Sequence, residues 1–289
     1  MTTKLTPSFD QLNRYLFTHK HVRGELVQLT HSYQTIIAEH NYPQGVSELM
    51  GELLAATCLL TARLKFDGEI AVQLQGDGPV SYLVINGNND QQMRGIAKLN
   101  KATDAVGLNN LLGKGTMVIT IQPKEGKAYQ GVVALDKTSI TECLCQYFEV
   151  SEQIPTKLWL FVDTEKQQAG GSLIQLLPDG GDKNQQLDDF DHLCQLTNTI
   201  KAVEVFTLPA NEVLYRLYHQ EEVQLFEPQS VSFCCTCSAE KCFSTIAQME
   251  PSEIESILHE QGKITMTCDY CKTSYFFDQQ KLAGLLKKQ

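Results

Sequence analysis

Two closely spaced cysteine pairs near the C-terminus constrain this chain more than any other feature. Cys235-Thr236-Cys237 and Cys268-Asp269-Tyr270-Cys271 are separated by 30 residues. Four thiolates in two close pairs fit a tetrahedral Zn²⁺. In an extended segment residues i and i+2 point to the same side, so Cys235 and Cys237 can ligate together. The second pair is expected at a tight turn between two strands. The competing reading is four buried structural cysteines. On spacing alone Cys234, Cys242 and His259 also remain open as ligands. Cys234 points away from Cys235 in an extended segment, Cys242 shares a helical stripe with Phe243 and Ile246, and His259 is expected on an exposed helix face.

Cysteine usage across the chain agrees with chemistry at one end. Six of the ten cysteines, Cys234, Cys235, Cys237, Cys242, Cys268 and Cys271, fall in the last 59 residues. Cys58, Cys143, Cys145 and Cys194 are scattered before them. The N-terminal segment lacks the apolar core of a secretory signal, which points to the cytoplasm. Reducing conditions there favour metal binding or redox chemistry over a static disulfide framework. A 59-residue tail has a marginal core. Structural zinc supplies about 10–16 kcal/mol of apparent binding free energy at neutral pH, enough to decide whether such a tail folds. A bridge across the C-x-C is demanding, because extended i and i+2 Cα atoms lie about 6.5–7 Å apart, near the limit for a disulfide. The segment must bend to be oxidised, which suits a labile bond.

The remainder reads as an α+β protein of three parts within 289 residues. Residues 1–178 form a mixed helix and antiparallel-sheet domain, 179–230 a helical linker, and 231–289 a small zinc-binding domain. Helices are expected at Phe9 to Phe17, at Ser47 to Leu64 with Ser47 as N-cap, and from the Ser139-x-x-Glu142 capping box to about Val150. Strands are expected around Ile70 to Leu74, Val80 to Ile85, Met117 to Ile121, Gly131 to Leu135 and Leu158 to Val162. Pro178 to Asn184 is a linker by composition. Leu187 to Ile200 and Asn211 to His219 read as helices, the second with an apolar stripe of Leu214, Leu217 and Tyr218, followed by Val223, Leu225 and Phe226. That stripe is either ordinary packing against the first domain or a surface exposed on occasion. In the tail, Ser238 caps a helix through Met249, Ser252-x-x-Glu255 forms a second capping box, and Gly262 suits a helix end. Strands Lys263 to Thr267 and Thr273 to Phe277 flank the second cysteine pair. A last helix shows Leu282, Leu285 and Leu286 on one face.

Composition excludes several functions. A net charge of −10 repels phosphate backbones. Leu53 to Ala62, the longest apolar stretch, is too short to span a membrane and ends at Arg63. Gly113-Lys114-Gly115 lacks phosphate-loop spacing. Asp179, Asp182, Asp188, Asp189 and Asp191 lack calcium-loop spacing. No Ser-His-Asp or paired-carboxylate signature stands out.

The motif Phe233-Cys234-Cys235-Thr236-Cys237-Ser238, with Cys242 and Cys268-Asp269-Tyr270-Cys271, resembles the redox switch of the thirty-three-kilodalton heat-shock chaperone family. The resemblance extends through Gly51 to Leu74, Val84 to Asn88 with Gln92-Met93-Arg94-Gly95, Asp189 to Leu193, and Leu208 to Glu221. The sequence departs from the family pattern at Cys234 and in the additional Cys58, Cys145 and Cys194. The resemblance implies an ATP-independent holdase rather than an enzyme. Reduced, it would hold one Zn²⁺ per chain through Cys235, Cys237, Cys268 and Cys271 and be largely inactive. Oxidation would form Cys235–Cys237 and Cys268–Cys271 disulfides, release zinc, unfold the tail and destabilise the linker. Such short loops are worth roughly 2 kcal/mol each, while the long-range clamp is lost. Exposed apolar residues, with Leu214, Leu217, Tyr218, Leu225 and Phe226 as candidates, would then bind unfolding client proteins, generally as a homodimer. The alternatives are a thiol-disulfide oxidoreductase using C-x-C or C-x-x-C, and a zinc-ribbon nucleic-acid binder. The first needs an exposed low-pKa thiol, and the second has little electrostatic support.

Overall fold

Gln11–Phe17 is a strand, not the expected helix. Tyr15 and Phe17 share one face by the two-residue period of a strand. There both rings pack on Tyr218, at centroid distances of 5.9 and 4.8 Å. A helix would splay these rings apart, and the segment instead completes its backbone hydrogen bonds with partners on both sides. The computed structural model describes residues 9–62, 67–178 and 182–286. The chain divides into two compact units between Phe233 and Cys234.

The first unit contains β1 (Gln11–Phe17), β2 (Val22–Leu29), α1 (His31–Ala38), α2 (Gln44–Thr61), β3 (Gly68–Gly76), β4 (Val80–Asn88), β5 (Gln92–Leu99), α3 (Leu108–Leu112), β6 (Gly115–Pro123) and β7 (Tyr129–Ala134). It continues with α4 (Ile140–Tyr147), β8 (Thr156–Asp163), β9 (Gln168–Leu176), α5 (Lys183–Thr197), α6 (Ala202–Thr207), α7 (Ala210–Tyr218), β10 (Val223–Leu225), β11 (Gln229–Ser230) and β12 (Ser232–Phe233). One sheet has the order β10-β1-β2-β9-β8, with β11 also on β1. The other has the order β12-β5-β4-β3-β6-β7, antiparallel except for the β12–β5 pair. Helix α2 packs against strands of both sheets. That position explains why it is apolar nearly all round. Gly51 permits the approach, since a Cβ there would meet Val162 Cγ2 at 2.9 Å.

Sequence expectations for strands between residues 70 and 162 hold with small boundary shifts. Helix α2 begins three residues before Ser47, with Pro43 at its N-cap. Ser47 therefore lies within the helix, where its carbonyl accepts from the Tyr33 hydroxyl at 2.7 Å. Ser139 does cap α4, accepting from the Glu142 N–H. Helix α4 ends at Tyr147 in a π-helical turn, Phe148–Glu152. The expected end of α2 at Leu64 and the Asp179-Gly180-Gly181 run lie outside the described residues.

The segment after β9 covers the other face of the first sheet. Phe190, Leu193, Val205, Phe206, Val213, Leu214, Leu217 and Tyr218 join Tyr15, Phe17, Val22, Leu26 and Ile174 in a second apolar cluster. Leu214, Leu217 and Tyr218 are buried, whereas Leu225 and Phe226 are 40% and 43% exposed. Polar contacts reinforce the seat. Gln28 Nε2 donates to the Leu208 carbonyl at 2.8 Å. Lys20 Nζ lies 3.4 Å from Asp189 and 3.1 Å from Glu221, and His192 Nε2 lies 2.9 Å from Glu221. The chain then pairs β10 and β11 with β1, and β12 with β5, so residues 223–233 are stitched to both sheets.

The second unit holds α8 (Ala239–Ile246), α9 (Pro251–Gln261), β13 (Lys263–Thr267), β14 (Ser274–Asp278) and α10 (Gln279–Leu286). Ser238 caps α8, which ends at Ile246 rather than Met249. Ser252 is not a cap: Glu250 holds that position and Pro251 opens α9. A proline at N1 has its φ preset and no N–H to leave unpaired. Gly262 ends α9 in the left-handed region, at φ 72°. The core here is Ile246, Ile254, Ile264, Phe277 and Leu282. The side chain of Leu286 lies outside the described residues.

Leu214→Ala is expected to cost about 2–5 kcal/mol by opening a cavity in the second cluster. Hydrogen exchange should quicken through residues 183–218 and stay unchanged in α2. Equal loss of protection in both would contradict the separate seating of the helical segment.

Candidate metal centre

Two loops of the second unit build the site. Cys235 and Cys237 lie in the irregular stretch directly before the Ser238 cap of α8. Cys268 and Cys271 occupy the turn between β13 and β14. That turn is closed by Cys268 N–H donating to the Thr273 carbonyl and Lys272 N–H donating to the Cys268 carbonyl, both at 2.9 Å. Lys272 takes a left-handed φ of 55° to complete it. Lys241 Nζ fixes the first loop by donating to the Thr236 carbonyl at 2.6 Å.

The four sulfurs lie within 4.8 Å of one another. Cys235 Sγ is 3.6 Å from Cys268 Sγ, and Cys237 Sγ is 3.4 Å from Cys271 Sγ. A tetrahedron with metal–sulfur bonds of about 2.3 Å has edges of about 3.8 Å. The donor set and its spacing therefore suit a thiophilic tetrahedral ion, and these four residues can hold a metal. Among the described residues, Cys234, Cys242 and His259 are not in the cluster. Cys242 packs against the apolar core of this unit, and His259 lies on the exposed last turn of α9.

Two hydroxyls support the thiols. Tyr275 Oη is 3.1 Å from Cys237 Sγ, and Thr273 Oγ1 is 3.3 Å from Cys271 Sγ. The sequence reading missed both. Their only signal in the sequence is nearness, since Thr273 and Tyr275 follow Cys271 by two and four residues; the left-handed turn at Lys272 hides how they meet the thiols. The thiols are electrostatically unequal. Burial above all pushes Cys235 up to about 12, and burial also raises Cys268. Burial opposes ionisation of Cys271 too, but hydrogen bonds from Thr273, Cys237 and Cys235 outweigh it and hold that thiol at about 6.

The scattered cysteines lie elsewhere. Cys58 and Cys143 are buried, and Cys145 and Cys194 are half-buried. No helix among the described residues is long and apolar enough to cross a membrane.

The family model "Hsp33 protein" matches residues 10–278. A 33 kDa chaperonin of Colwellia psychrerythraea is 64% identical over 284 residues, covering 97% of this chain and 98% of that protein. A 33 kDa chaperonin of Shewanella woodyi is 57% identical over 279 residues, covering 96% of each. The fold is similar to the crystal structure of a 33 kDa chaperonin from Thermotoga maritima, with a TM-score of 0.81, 22% identity, and coverage of 96% and 98%.

Tyr275→Phe removes the hydroxyl beside Cys237 and is expected to weaken the binding of a metal ion, with added Zn²⁺ as the probe, about 10–100-fold. Competition with a chromophoric chelator measures this, and unchanged affinity would contradict the supporting role. Metal binding must also displace protons from at least Cys235 and Cys268, because thiolates are the ligands. Affinity for the metal probe should therefore rise with pH, by at least about a hundredfold per unit between pH 6 and 8. A flat profile in the same competition assay would contradict the thiol assignment.

Proposed function

The chain belongs to the Hsp33 protein family, and from that membership and its four-thiol cluster we propose that it is a redox-regulated, ATP-independent holdase. The single observation that carries the reading is the convergence of Cys235, Cys237, Cys268 and Cys271 within 4.8 Å. These residues would hold one Zn²⁺ in the reduced protein. When bound, zinc supplies a cross-link between the loop before α8 and the β13–β14 turn.

Oxidation acts on the thiols themselves. Each within-pair bond, Cys235–Cys237 or Cys268–Cys271, removes two electrons and uses two of the four donors. Once both form, no donor remains, and the long-range link between residues 235 and 271 is replaced by two short loops worth roughly 2 kcal/mol each. A unit whose core among the described residues is five buried apolar side chains then has too little burial to stay folded. The consequence reaches the first unit through chain continuity. Cys235 lies two residues beyond β12, so bending at Cys235–Cys237 works on the strand that ends at Phe233. Loosening β12, β11 and β10 in turn frees the route to α7, where Leu214, Leu217 and Tyr218 are buried. These residues, with the already exposed Leu225 and Phe226, form the proposed surface for unfolding client proteins. The proposed active form is a homodimer in the cytoplasm. Residues 1–178, 179–230 and 231–289 serve as core, metastable linker and switch.

The depressed Cys271 thiol also favours a second reading, a thiol-disulfide oxidoreductase. Zinc content, client light scattering and dithiol turnover, followed together during peroxide treatment, separate the two. The holdase reading expects one zinc per reduced chain, its release on oxidation, suppression of client aggregation only afterwards, and no turnover. Equal suppression by the reduced zinc form, or turnover with zinc retained, would sink it.

Truncation after Phe233 should raise client binding without oxidant, because β12 is then held only by its short pairing with β5 and no longer by a folded second unit. A truncated chain that suppresses aggregation no better than the reduced full chain would contradict this coupling.

A further inference from the structure

One strap of chain closes an edge of the first sheet. Strand β1 pairs with β2 along its whole length. Among the described residues, its other edge is taken by residues 222–231 alone, through β10 and β11, both antiparallel to it. Thr18 N–H donates to the Glu222 carbonyl at 3.1 Å, Phe226 N–H to the Arg14 carbonyl at 2.9 Å, and Val231 N–H to the Asp10 carbonyl at 2.8 Å. Without the strap, β1 would present an open row of N–H and C=O groups, a template for pairing with another chain.

Side chains contribute little to this hold. Gln224, Leu225, Phe226, Glu227, Pro228 and Ser230 are all exposed. Of the strap's apolar residues up to Phe226, Val223 alone packs against the second cluster. Its partner in register is Phe17, and Leu225 lies opposite Tyr15 on the same face. Pro228 interrupts the pairing, since it has no N–H to give. The apolar anchor comes at the end, where Val231 is buried in the first cluster. The edge of β1 is thus closed chiefly by main-chain bonds that any extended chain can make.

We propose that the outer edge of β1, Gln11–Phe17, is a client-binding site that works by strand addition, with residues 222–231 as its built-in occupant. This rests on the holdase reading, in which the strap leaves its seat on oxidation. An extended segment of an unfolding protein then joins β1 as an antiparallel strand. Strand addition draws its affinity from main-chain bonds and its selectivity from side chains at alternate positions, which suits a holdase of many clients. The strap itself shows the pattern that fits. Glu222 and Phe226 hold the hydrogen bonds, while Val223 and Leu225 between them direct their N–H groups away from β1 and share the face of Phe17 and Tyr15. Departure of Tyr218 uncovers those same two rings. The site therefore takes a segment with apolar side chains at i and i+2 and a free N–H on the residues between them.

The probe is a short synthetic peptide of alternating Val and Thr with Lys at both ends, in three forms: unmodified, N-methylated at every Thr, and N-methylated at every Val. Each is titrated by fluorescence anisotropy onto the peroxide-activated full chain, with hydrogen exchange of residues 10–18 followed in parallel. The unmodified peptide is expected to bind and to slow exchange in 10–18 at least about tenfold. Methylation at Thr should weaken binding at least about tenfold, and methylation at Val should leave it within about twofold. Equal affinity for the three forms would overturn the proposal, as would binding that leaves exchange in 10–18 unchanged. So would protection of 10–18 that appears on dimerisation before any peptide is added, since a second copy's strap would then be the occupant. Oxidation-dependent suppression of client aggregation without discrimination between the peptides keeps the holdase reading and sinks the strand site. Discrimination between the peptides without such suppression does the reverse.

Discussion

The second unit depends on one interaction, the gathering of four thiols from two loops. Its apolar core is Ile246, Ile254, Ile264, Phe277 and Leu282, which is little for a unit of this length. The helices are well signalled, with Ser238 and Gly262 at their ends, but such caps contribute only about 1 kcal/mol each. A metal bound by Cys235, Cys237, Cys268 and Cys271 contributes about ten times as much. In the proposed switch the same thiols, ionised for ligation, are the groups an oxidant attacks. Stability and sensitivity thus reside in one set of atoms.

Residues 182–233 are the second element of the account, and they are not loosely attached. Tyr218 is held between Tyr15 and Phe17, and its hydroxyl lies 2.7 Å from Thr197 Oγ1. The Lys20, Asp189, Glu221 and His192 cluster closes the edge of this seat. Such partly exposed ion pairs contribute modestly and are screened by salt. The apolar cluster therefore carries most of the seating. A segment that buries Leu214, Leu217 and Tyr218 in one state holds, by composition, the surface needed to bind apolar clients in another.

The cluster was legible in the sequence because ligand spacing is a local property. Cys235-x-Cys237 and the Cys268–Cys271 turn announce their geometry within a few residues, and so does Gly262. Gln11–Phe17 was not legible, because it has no β-branched residue and its strand character comes from β2 and from residues 223–230 more than two hundred positions away. Ser252 matched a capping box, but Pro251 beside it opens the helix two residues earlier, with Glu250 as N-cap. Helix α6 went unread because its six residues are too few to display a period. Tyr275 was hidden for a different reason: a hydroxyl beside a thiol becomes meaningful only once β13 and β14 pair and bring it to Cys237.

The central claim is an order of events: metal loss, then unfolding of the second unit, then release of the helical segment. Time-resolved hydrogen exchange of the full chain during peroxide treatment, with zinc release and client binding recorded on the same samples, tests that order most directly. The account predicts zinc release first, then loss of protection in residues 263–278, then in 183–218, with client binding following the last step. Opening of 183–218 while zinc is still bound, or client binding with 263–278 still protected, would contradict it.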